Sequence, residues 1–322
     1  MSEDDVAHLA RARQALRQVS AVVPAPGADG LAAGAIALRA RGEDAGAAVL
    51  LEPGETPYSA GASLPEGPLA VLDWGMRELG RPALIVDHHA PEAAPREDQV
   101  VVTSYGTVPE LPTAALMRRI VPDAPAWLAA VGVVAHLGDE GFEVAEATDR
   151  RRASVRRLAS LVDAPRRVPA GPVRDALAVL VEAEDPRAAL ADPRVRGLEE
   201  AKRAWRAELD RVIRVEPEVG DGIALVRFSS PYLIQSLVAT MWARRLAPRV
   251  VVAANDGYLP GRVCFSTRGG HGSLLALLRS ALPAGVEGEV GHGRDHATGG
   301  WLAPEDFERL VAALGPPVGS TV

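Results

Sequence analysis

Three aspartates stand at or directly after the carboxyl ends of predicted strands: Asp29, Asp73 and Asp87. Two histidines, His88 and His89, follow the third aspartate without a gap. In an open α/β sheet, ligands bind outside the carboxyl ends of the strands, so these side chains are expected at one edge. Carboxylates and imidazoles without thiolates are typical ligands of Mn²⁺, Mg²⁺ or Fe²⁺. The pattern therefore predicts a divalent metal site.

A fourth acid, Asp139, follows a predicted helix that ends at His136-Leu137-Gly138. His136 fits two interpretations: it orients a metal ligand, or it packs against or caps the helix end. Simpler interpretations exist for the other residues as well, because an aspartate at a strand end is often a helix cap and adjacent histidines often lie on a surface. Their joint order along the chain favours a metal site.

Short apolar runs that alternate with helical patterns must position these residues. The apolar runs predict strands at residues 20–24, 47–51, 69–73, 83–87 and 100–103. Helical spacing predicts helices at 4–18, 31–41, 112–121 and 127–137, with one helical turn at 76–79. Continuous apolar strands are typical of a parallel sheet covered on both faces. The predicted fold class of this part is therefore α/β, with a doubly wound parallel sheet.

The chain length of 322 residues predicts a second domain, because a single core rarely grows beyond about 250–300 residues. Residues 148–214 are charged and helical in pattern, and their arginine-rich stretches fit either solvated helix faces or a surface that follows a nucleic-acid backbone. Further strands are predicted at 223–228, 250–254 and 262–267, and further helices at 232–245, 273–281 and 304–314. We therefore predict an N-terminal domain at 1–190, a helical linker at 191–218 and a smaller C-terminal α/β domain at 219–322.

The composition excludes several classes of protein. A net charge of −7 argues against a general nucleic-acid coat, which would be basic overall, although a local basic groove is compatible with it. Cys264 is the single cysteine, which excludes an intramolecular disulfide and a cysteine-based metal cluster. The first residues are acidic and polar rather than typical of a signal peptide, and no apolar run reaches the roughly 18 residues of a membrane span. We expect a cytoplasmic protein without a membrane partner.

A resemblance to a known family begins at Val86-Asp87-His88-His89, which is similar to the signature motif of the DHH phosphoesterases. This family includes RecJ-type exonucleases and oligoribonuclease-like enzymes. Other segments resemble the family's further N-terminal motifs: Leu72-Asp73, Gly138-Asp139 and residues 28–33. The C-terminal part resembles the DHH-associated domain in Ser266-Thr267-Arg268 and in the glycine-rich residues 291–300. The resemblance spans nearly the whole chain and implies the two-domain fold of that family.

The resemblance also implies a role for each matching residue. The metal ligands that it implies are Asp29, Asp73, His88 and Asp139, and the catalytic residues are Asp87 and His89. The substrate-binding residues that it implies lie in the C-terminal domain: Arg268, Gly293, Arg294, His296 and Gly299. Arg294 stands where the family usually has a histidine, and an arginine can still bind a phosphate there.

Three positions of the first motif depart from the family. The histidine and the acids expected there fall at Val23, Ala25 and Gly27, whose side chains cannot bind a metal. The resemblance therefore implies one retained site, for a single Mn²⁺ or Mg²⁺ ion, and one lost site. Two-metal hydrolysis uses both ions to activate water and to stabilise charge, so we expect a one-ion site to work less well.

Two functions follow from this resemblance. In the first, the protein is an exonuclease-like, metal-dependent hydrolase that cleaves phosphodiester bonds of short single-stranded oligonucleotides or of nucleotides. In the second, it is a catalytically impaired relative that binds nucleic-acid ends or nucleotides as an accessory or sensing protein. An oligonucleotide or nucleotide is the expected partner in both. The sequence leaves the oligomeric state open, with a homodimer among the alternatives.

Overall fold

The computed structural model describes residues 3–144, 151–220, 222–282, 285–286, 288–294 and 296–315, and describes 291–294 by their backbone alone. The chain forms two compact units, Met1–Arg166 with Ala170–Lys202 and Arg167–Pro169 with Arg203–Val322. One point of division, between Lys202 and Arg203, lies within residues 191–218, and residues 167–169 also group with the second unit. Among the residues described, no helix combines the length and apolar character that a bilayer span requires.

A parallel sheet of four strands lies at the centre of the first unit. The strands are β1 Ala21–Pro24, β2 Leu69–Leu72, β3 Ala83–Asp87 and β4 Gln99–Thr103. They lie side by side in chain order, and each neighbouring pair is parallel. The first three strands are fully buried and consist almost entirely of apolar residues, which is typical of parallel strands with both faces covered. The predicted α/β fold class is confirmed.

The helices of the first unit pack on one face of this sheet, where they form the larger apolar core of the unit. They are α1 Glu3–Gln18, α2 Ala28–Arg41, α3 Thr113–Ile120, α4 Ala126–Leu137, α5 Gly141–Val144, α6 Arg152–Val162, α7 Val173–Glu182 and α8 Pro186–Ala191, followed by α9 Val195–Val212, which runs across the boundary between the units. Helix α2 is rich in alanine and glycine, and its first eleven residues are buried. A side chain at Gly34 would lie 2.9 Å from Pro24, so this glycine lets α2 pack closely on β1.

Irregular chain covers the other face of the sheet. Alternate residues of the strands, such as Val23, Val71 and Ile85, point to a separate apolar cluster that Val49 and Tyr58 help to complete. Covering by residues 49–64 explains why the strands are apolar on both faces.

Two predicted elements of this region are wrong. Residues 47–51 form no strand, because Asp44 caps a 3₁₀ turn at Ala45–Ala47 and only Ala48 makes a single bridge to β1. Residues 76–79 form no helical turn, because their backbone groups bond to distant residues. The Met76 carbonyl accepts from the Glu92 amide, and the Leu79 carbonyl accepts from the Gln99 side chain.

The second unit is built on a mixed sheet of six strands in the order β5-β6-β7-β8-β10-β9. These strands are β5 Glu218–Val219, β6 Ile223–Phe228, β7 Val250–Asn255, β8 Val263–Gly269, β9 Gly288–Arg294 and β10 Ala297–Leu302; the helices are α10 Gln235–Arg245, α11 Leu274–Ala281 and α12 Pro304–Leu314. One apolar cluster packs α11 and α12 on the sheet, and another packs α10 and the end of α9 on it. The predicted strands and helices of this unit are confirmed within a few residues.

The glycine-rich segment near residue 300 is a strand hairpin rather than a loop. Strands β9 and β10 pair in antiparallel fashion, with a register shift between Gly299 and Gly300. A side chain at either glycine would collide with a backbone carbonyl, that of Phe265 or that of Glu289. The glycines therefore allow close approach of the strands.

Candidate metal centre

The register of the parallel sheet places Asp73 and Asp87 side by side at its carboxyl edge. Leu72 pairs with Val86, so the next residue of each strand reaches the same edge. The Asp73 amide donates to the Val86 carbonyl at 3.1 Å, which continues the ladder by one residue. The regular pairing of β2 with β3 therefore explains why both acids lie at this edge, where ligands bind in open α/β sheets.

Asp73 has an unusual backbone. Its φ of 68° lies in the left-handed region, where a non-glycine residue is disfavoured by about 1–2 kcal/mol, although aspartate tolerates it better than most. In this conformation its Oδ1 lies 3.5 Å from His88 Nδ1. Such conformations persist where surrounding structure enforces them, and they concentrate at functional sites.

Asp29 lies in the first turn of α2 and reaches across to the start of α3. Its Oδ2 accepts from the Thr113 amide and its Oδ1 from the Ala114 amide, both at 2.8 Å. Pro112 at the N-cap of α3 offers no side-chain acceptor, so Asp29 satisfies amides that would otherwise lack a partner. A side chain at Gly132 of α4 would lie 2.7 Å from Asp29 Oδ1. Asp29 therefore acts as a cap, as one interpretation of the sequence proposed, but for a different helix.

His88 is the residue on which the two acids converge. It is almost completely buried, and its Nδ1 lies 3.6 Å from Asp29 Oδ2 in addition to the contact with Asp73. The Thr113 hydroxyl donates to Asp73 Oδ1 at 2.9 Å and lies 3.2 Å from His88 Nδ1. Thr113 thus links both carboxylates and the imidazole. Its type and position do not predict this role, because a threonine at a helix start is common.

Burial leaves both acids with raised pKa values, and repulsion by a neighbouring charge adds to the shift of Asp73. Burial raises the pKa of Asp29 to about 6, although the amides of Ala114 and Thr113 oppose the shift. Burial, and then the charge of Asp29, raise the pKa of Asp73 well above its ordinary value. A bound cation beside these carboxylates would lower both pKa values. Two such acids beside a buried imidazole fit a divalent cation by charge and by ligand type.

Asp87 and His89 form a second pair next to this cluster. Asp87 Oδ1 accepts from the His89 amide at 2.6 Å and lies 3.0 Å from His89 Nδ1, while its Oδ2 accepts from the Gly75 amide at 2.7 Å. Burial alone would raise the pKa of Asp87, but the hydrogen bonds from His89 and Gly75 outweigh it and lower the pKa. An ionised Asp87 only accepts, so His89 Nδ1 carries the proton and Nε2 is the nitrogen that can act on a ligand.

Two groups of ligand atoms in this region are close enough to hold an ion. One consists of Asp29, His88 and His136, and the other of Asp73, His88 and His89; within each group the atoms lie within 4.8 Å of one another. His88 belongs to both groups, so they describe one shared centre. The structure thus brings together Asp29, Asp73 and His88, as the sequence predicts.

The structure does not bring Asp139 into either group of ligand atoms. Its side chain is 72% exposed and lies 2.8 Å from the Arg156 guanidinium. His136, three residues earlier, is the residue near the centre, with its ring 4.7 Å from that of His88 in an edge-on arrangement. Gly138 follows the last residue of α4 and has a positive φ of 65°. The helix therefore ends directly before Asp139, which does not continue the helix face that carries His136.

Val23, Ala25 and Gly27, which stand where the family's first motif has ligands, have structural roles. Val23 is fully buried in the apolar cluster behind the sheet, and the Ala25 amide donates to the Leu72 carbonyl. Gly27 is the N-cap of α2, and a side chain there would lie 3.6 Å from the Arg166 guanidinium. These surroundings offer an ion no carboxylate or imidazole from the three positions.

The predicted substrate-binding residues all belong to the second unit. Arg268 on β8 is half-buried and donates to the carbonyls of Thr267 and Thr298, and burial lowers its pKa. Gly299 pairs with Ser266 of β8, Gly293 pairs with Thr298, and His296 is exposed between β9 and β10. The Arg294 side chain lies outside the described part of the chain, as does Arg150 at the start of the predicted basic stretch.

The sequence matches no protein-family model and no curated protein. Several solved structures nevertheless share its fold. An exonuclease RecJ bound to manganese aligns over 98% of this chain and 96% of its own, with a TM-score of 0.60 and 18% identity. RecJ from Thermus thermophilus with Mn²⁺ aligns over 95% of this chain, with a TM-score of 0.63 and 21% identity. This chain spans 54% of that second protein.

A third structure, the DHH domain of a member of a ribosomal protein family, aligns over 98% of this chain and 91% of its own, with a TM-score of 0.64 and 15% identity. The likeness to all three concerns the fold. The chain therefore has an α/β fold similar to that of RecJ and DHH-domain structures, as the motifs predict.

Proposed function

We propose that the protein is a metal-dependent phosphoesterase that hydrolyses phosphodiester bonds of nucleotides or of short single-stranded oligonucleotides. The observation that carries this proposal is the convergence of Asp29, Asp73 and His88, a buried and a partly buried acid with raised pKa values around one imidazole. The RecJ structures of similar fold, which hold Mn²⁺ or Mg²⁺ and one of which is described as an exonuclease, support the choice of ion and reaction.

One ion, Mn²⁺ or Mg²⁺, would be held by Asp29, Asp73 and His88, with His136 as a further candidate ligand. Asp139 would join them only by exchanging its ion pair with Arg156. Such an ion lowers the pKa of water and polarises a phosphoryl oxygen. Thr113 fixes the ligands before binding, since its backbone and hydroxyl hold one acid each.

The Asp87–His89 pair supplies proton transfer and orientation. Asp87 holds the proton on His89 Nδ1, so that Nε2 can donate to or accept from a phosphate oxygen or the leaving oxygen. His89 is 30% exposed, so it can contact a ligand, whereas Asp87 is buried and acts through it. In the second unit, Arg268 and Arg294 are the residues that we propose for binding a further phosphate of the substrate.

The alternative function is binding of a nucleotide or nucleic-acid end without turnover. It is favoured by one observation: Val23, Ala25 and Gly27 provide no ligand for a second ion, because they serve the core, the sheet edge and the start of α2. A single ion would still fix a phosphate group, but the charge that develops during hydrolysis would be less well stabilised.

Metal content and turnover of the purified protein test both functions. We expect one Mn²⁺ ion per chain after removal of bound metal and reloading, together with Mn²⁺-dependent hydrolysis of a chromogenic phosphodiester and of an end-labelled oligonucleotide. Asp73→Asn removes a ligand charge at nearly constant size. The variant is expected to lose the ion, and its turnover is expected to fall by roughly 100-fold or more. Removal of a group that only orients a ligand reduces activity by about 10- to 100-fold.

Asp123→Asn is the matched control, because it makes the same change on an exposed acid of the same unit. It is expected to behave like the wild type. Tight binding of the oligonucleotide with no turnover would replace the enzyme by the binding protein. A wild-type protein that retains no Mn²⁺ and does not bind the oligonucleotide would contradict both functions.

A further inference from the structure

The geometry points to Tyr58 as a positioning residue of the metal centre, an inference that rests on the proposed function. Its hydroxyl donates a hydrogen bond to the turn that follows β2 and acts as a clamp on that turn. Asp73, a proposed ligand, stands at the start of the turn, and Gly75 in the middle of the turn donates to Asp87. The residue lies in the irregular chain behind the sheet, 15 residues before Asp73 in sequence. Its hydroxyl reaches the centre through the turn, so it is a positioning residue and not a catalytic one.

The clamp consists of two hydrogen bonds on the two sides of Gly75. The Tyr58 hydroxyl donates to the Gly75 carbonyl. The Gly75 amide donates to Asp87 Oδ2 at 2.7 Å, and the same carboxylate binds the His89 ring nitrogen through its other oxygen at 3.0 Å. A continuous chain of hydrogen bonds therefore runs from the tyrosine through the turn to the histidine.

The turn needs such a clamp because its backbone is not one that the chain adopts readily. Both Asp73 and Gly75 have positive φ angles, 68° and 79°. Glycine reaches this region without cost, but it also leaves it without cost, so Gly75 alone does not hold the turn. The hydroxyl of Tyr58 and the carboxylate of Asp87 fix the carbonyl and the amide of Gly75, and with them the direction of the Asp73 side chain.

Tyr58 is itself held firmly. Its ring packs in the apolar cluster behind the sheet, and the Arg77 guanidinium lies 5.5 Å from the ring centroid. The Tyr58 amide donates to the Thr56 hydroxyl at 3.3 Å, and the Ser59 hydroxyl accepts from the Thr56 amide at 3.0 Å. Because ring and backbone are fixed independently of the hydroxyl, removal of the hydroxyl alone is a clean test of the clamp.

The experiment is Tyr58→Phe, which keeps the ring and removes one oxygen. In the metal-free variant, hydrogen exchange of the Gly75 amide is expected to become roughly 10-fold faster or more, because the turn opens more often. The Kd for Mn²⁺, measured by calorimetry, is expected to rise roughly 10- to 100-fold, the usual effect of losing a group that orients a ligand.

Tyr232→Phe is the control, because it makes the same change on a partly buried tyrosine of the second unit. It is expected to leave both measurements unchanged. If wild-type protein binds Mn²⁺ and Tyr58→Phe leaves both the Kd and the Gly75 exchange unchanged, the inference is overturned and the proposed function stands. If wild-type protein binds no Mn²⁺, the proposed function and the inference that rests on it both fail.

Discussion

At the scale of single residues, the centre is a problem of charge. Asp29 and Asp73 are 7% and 13% exposed in their side chains, and both approach the same nitrogen of His88. Two carboxylates at low exposure repel each other and lose hydration, so each holds a proton more tightly. Protons and a divalent cation therefore compete for the same oxygen atoms.

This competition makes metal binding depend on pH. The pKa of Asp29 is about 6 in the metal-free protein, so Asp29 is mostly protonated below this pH. The raised pKa of Asp73 acts in the same direction. An ion must then displace protons. Its affinity is therefore expected to fall by up to about 10-fold for each unit by which the pH is lowered and for each proton displaced. Calorimetric titration with Mn²⁺ between about pH 8 and pH 5 measures this, and a constant Kd across that range would contradict it.

A second residue-level prediction separates chemistry from metal binding. Asp87→Asn removes the ionised acceptor that keeps the proton on His89 Nδ1, so the ring loses its fixed tautomer. At saturating Mn²⁺, turnover is expected to fall by about 10²–10⁴-fold while one ion per chain still binds, because the asparagine carbonyl oxygen can still accept from the Gly75 amide. Asp98→Asn, at an exposed acid paired with Arg96, serves as the control. Loss of the ion even at saturating Mn²⁺ would show that the fall in turnover comes from the ligands and not from His89.

At the scale of elements, the start of α3 joins the parts of the centre. Asp29 comes from α2, Asp73 and His88 come from the chain after β2 and β3, and Thr113 contacts all three. The contact with Asp29 uses the Thr113 amide, and the Ala114 amide also donates to Asp29. Both are among the first free amides that every helix start has to satisfy. The cap of α3 and the assembly of the centre are therefore the same set of contacts.

Thr113→Val tests this coupling. The substitution keeps the backbone bond to Asp29 but removes the hydroxyl that donates to Asp73 at 2.9 Å. The Kd for Mn²⁺ is expected to rise roughly 10- to 100-fold, and the free energy of unfolding is expected to fall by about 1 kcal/mol. Thr240→Val removes a hydroxyl that bonds within α10 of the second unit, and it should not change the Kd. Equal effects of the two variants on the Kd would remove Thr113 from the centre.

The sequence predicts those parts of the fold that periodicity controls. Runs such as residues 83–86 are apolar throughout, which predicts buried strands, and the acid that follows such a run then falls at the ligand-binding edge. Contacts that depend on irregular chain leave no such pattern. The positions of Tyr58 and Thr113 follow from a loop path and a helix start, and the exposure of Asp139 follows from the turn at Gly138.

At the scale of the whole molecule, the two units have separate cores and different chemical groups. The first unit carries the acids and histidines, whereas the second carries Arg268 on a strand beside glycines that let backbones approach closely. The proposed function assigns the ion to the first unit and a substrate phosphate to the second. Their contributions should therefore be separable by mutation.

Arg268→Ala is expected to weaken binding of a short oligonucleotide without changing the Kd for Mn²⁺. A lost hydrogen bond from a cation to a phosphate costs about 1.5–3 kcal/mol, which is roughly 10- to 150-fold in affinity. Fluorescence anisotropy of a labelled oligonucleotide measures the change, with Arg279→Ala on the exposed side of α11 as the control. Equal affinities of wild type and Arg268→Ala would exclude this arginine from substrate binding.

Anomalous scattering from a crystal soaked in Mn²⁺ tests the metal centre most directly, because it locates the ion and counts it. We expect one strong peak per chain, about 2.0–2.3 Å from side-chain atoms of Asp73 and His88. The absence of a peak between these residues, or an ion bound elsewhere by other ligands, would contradict the account.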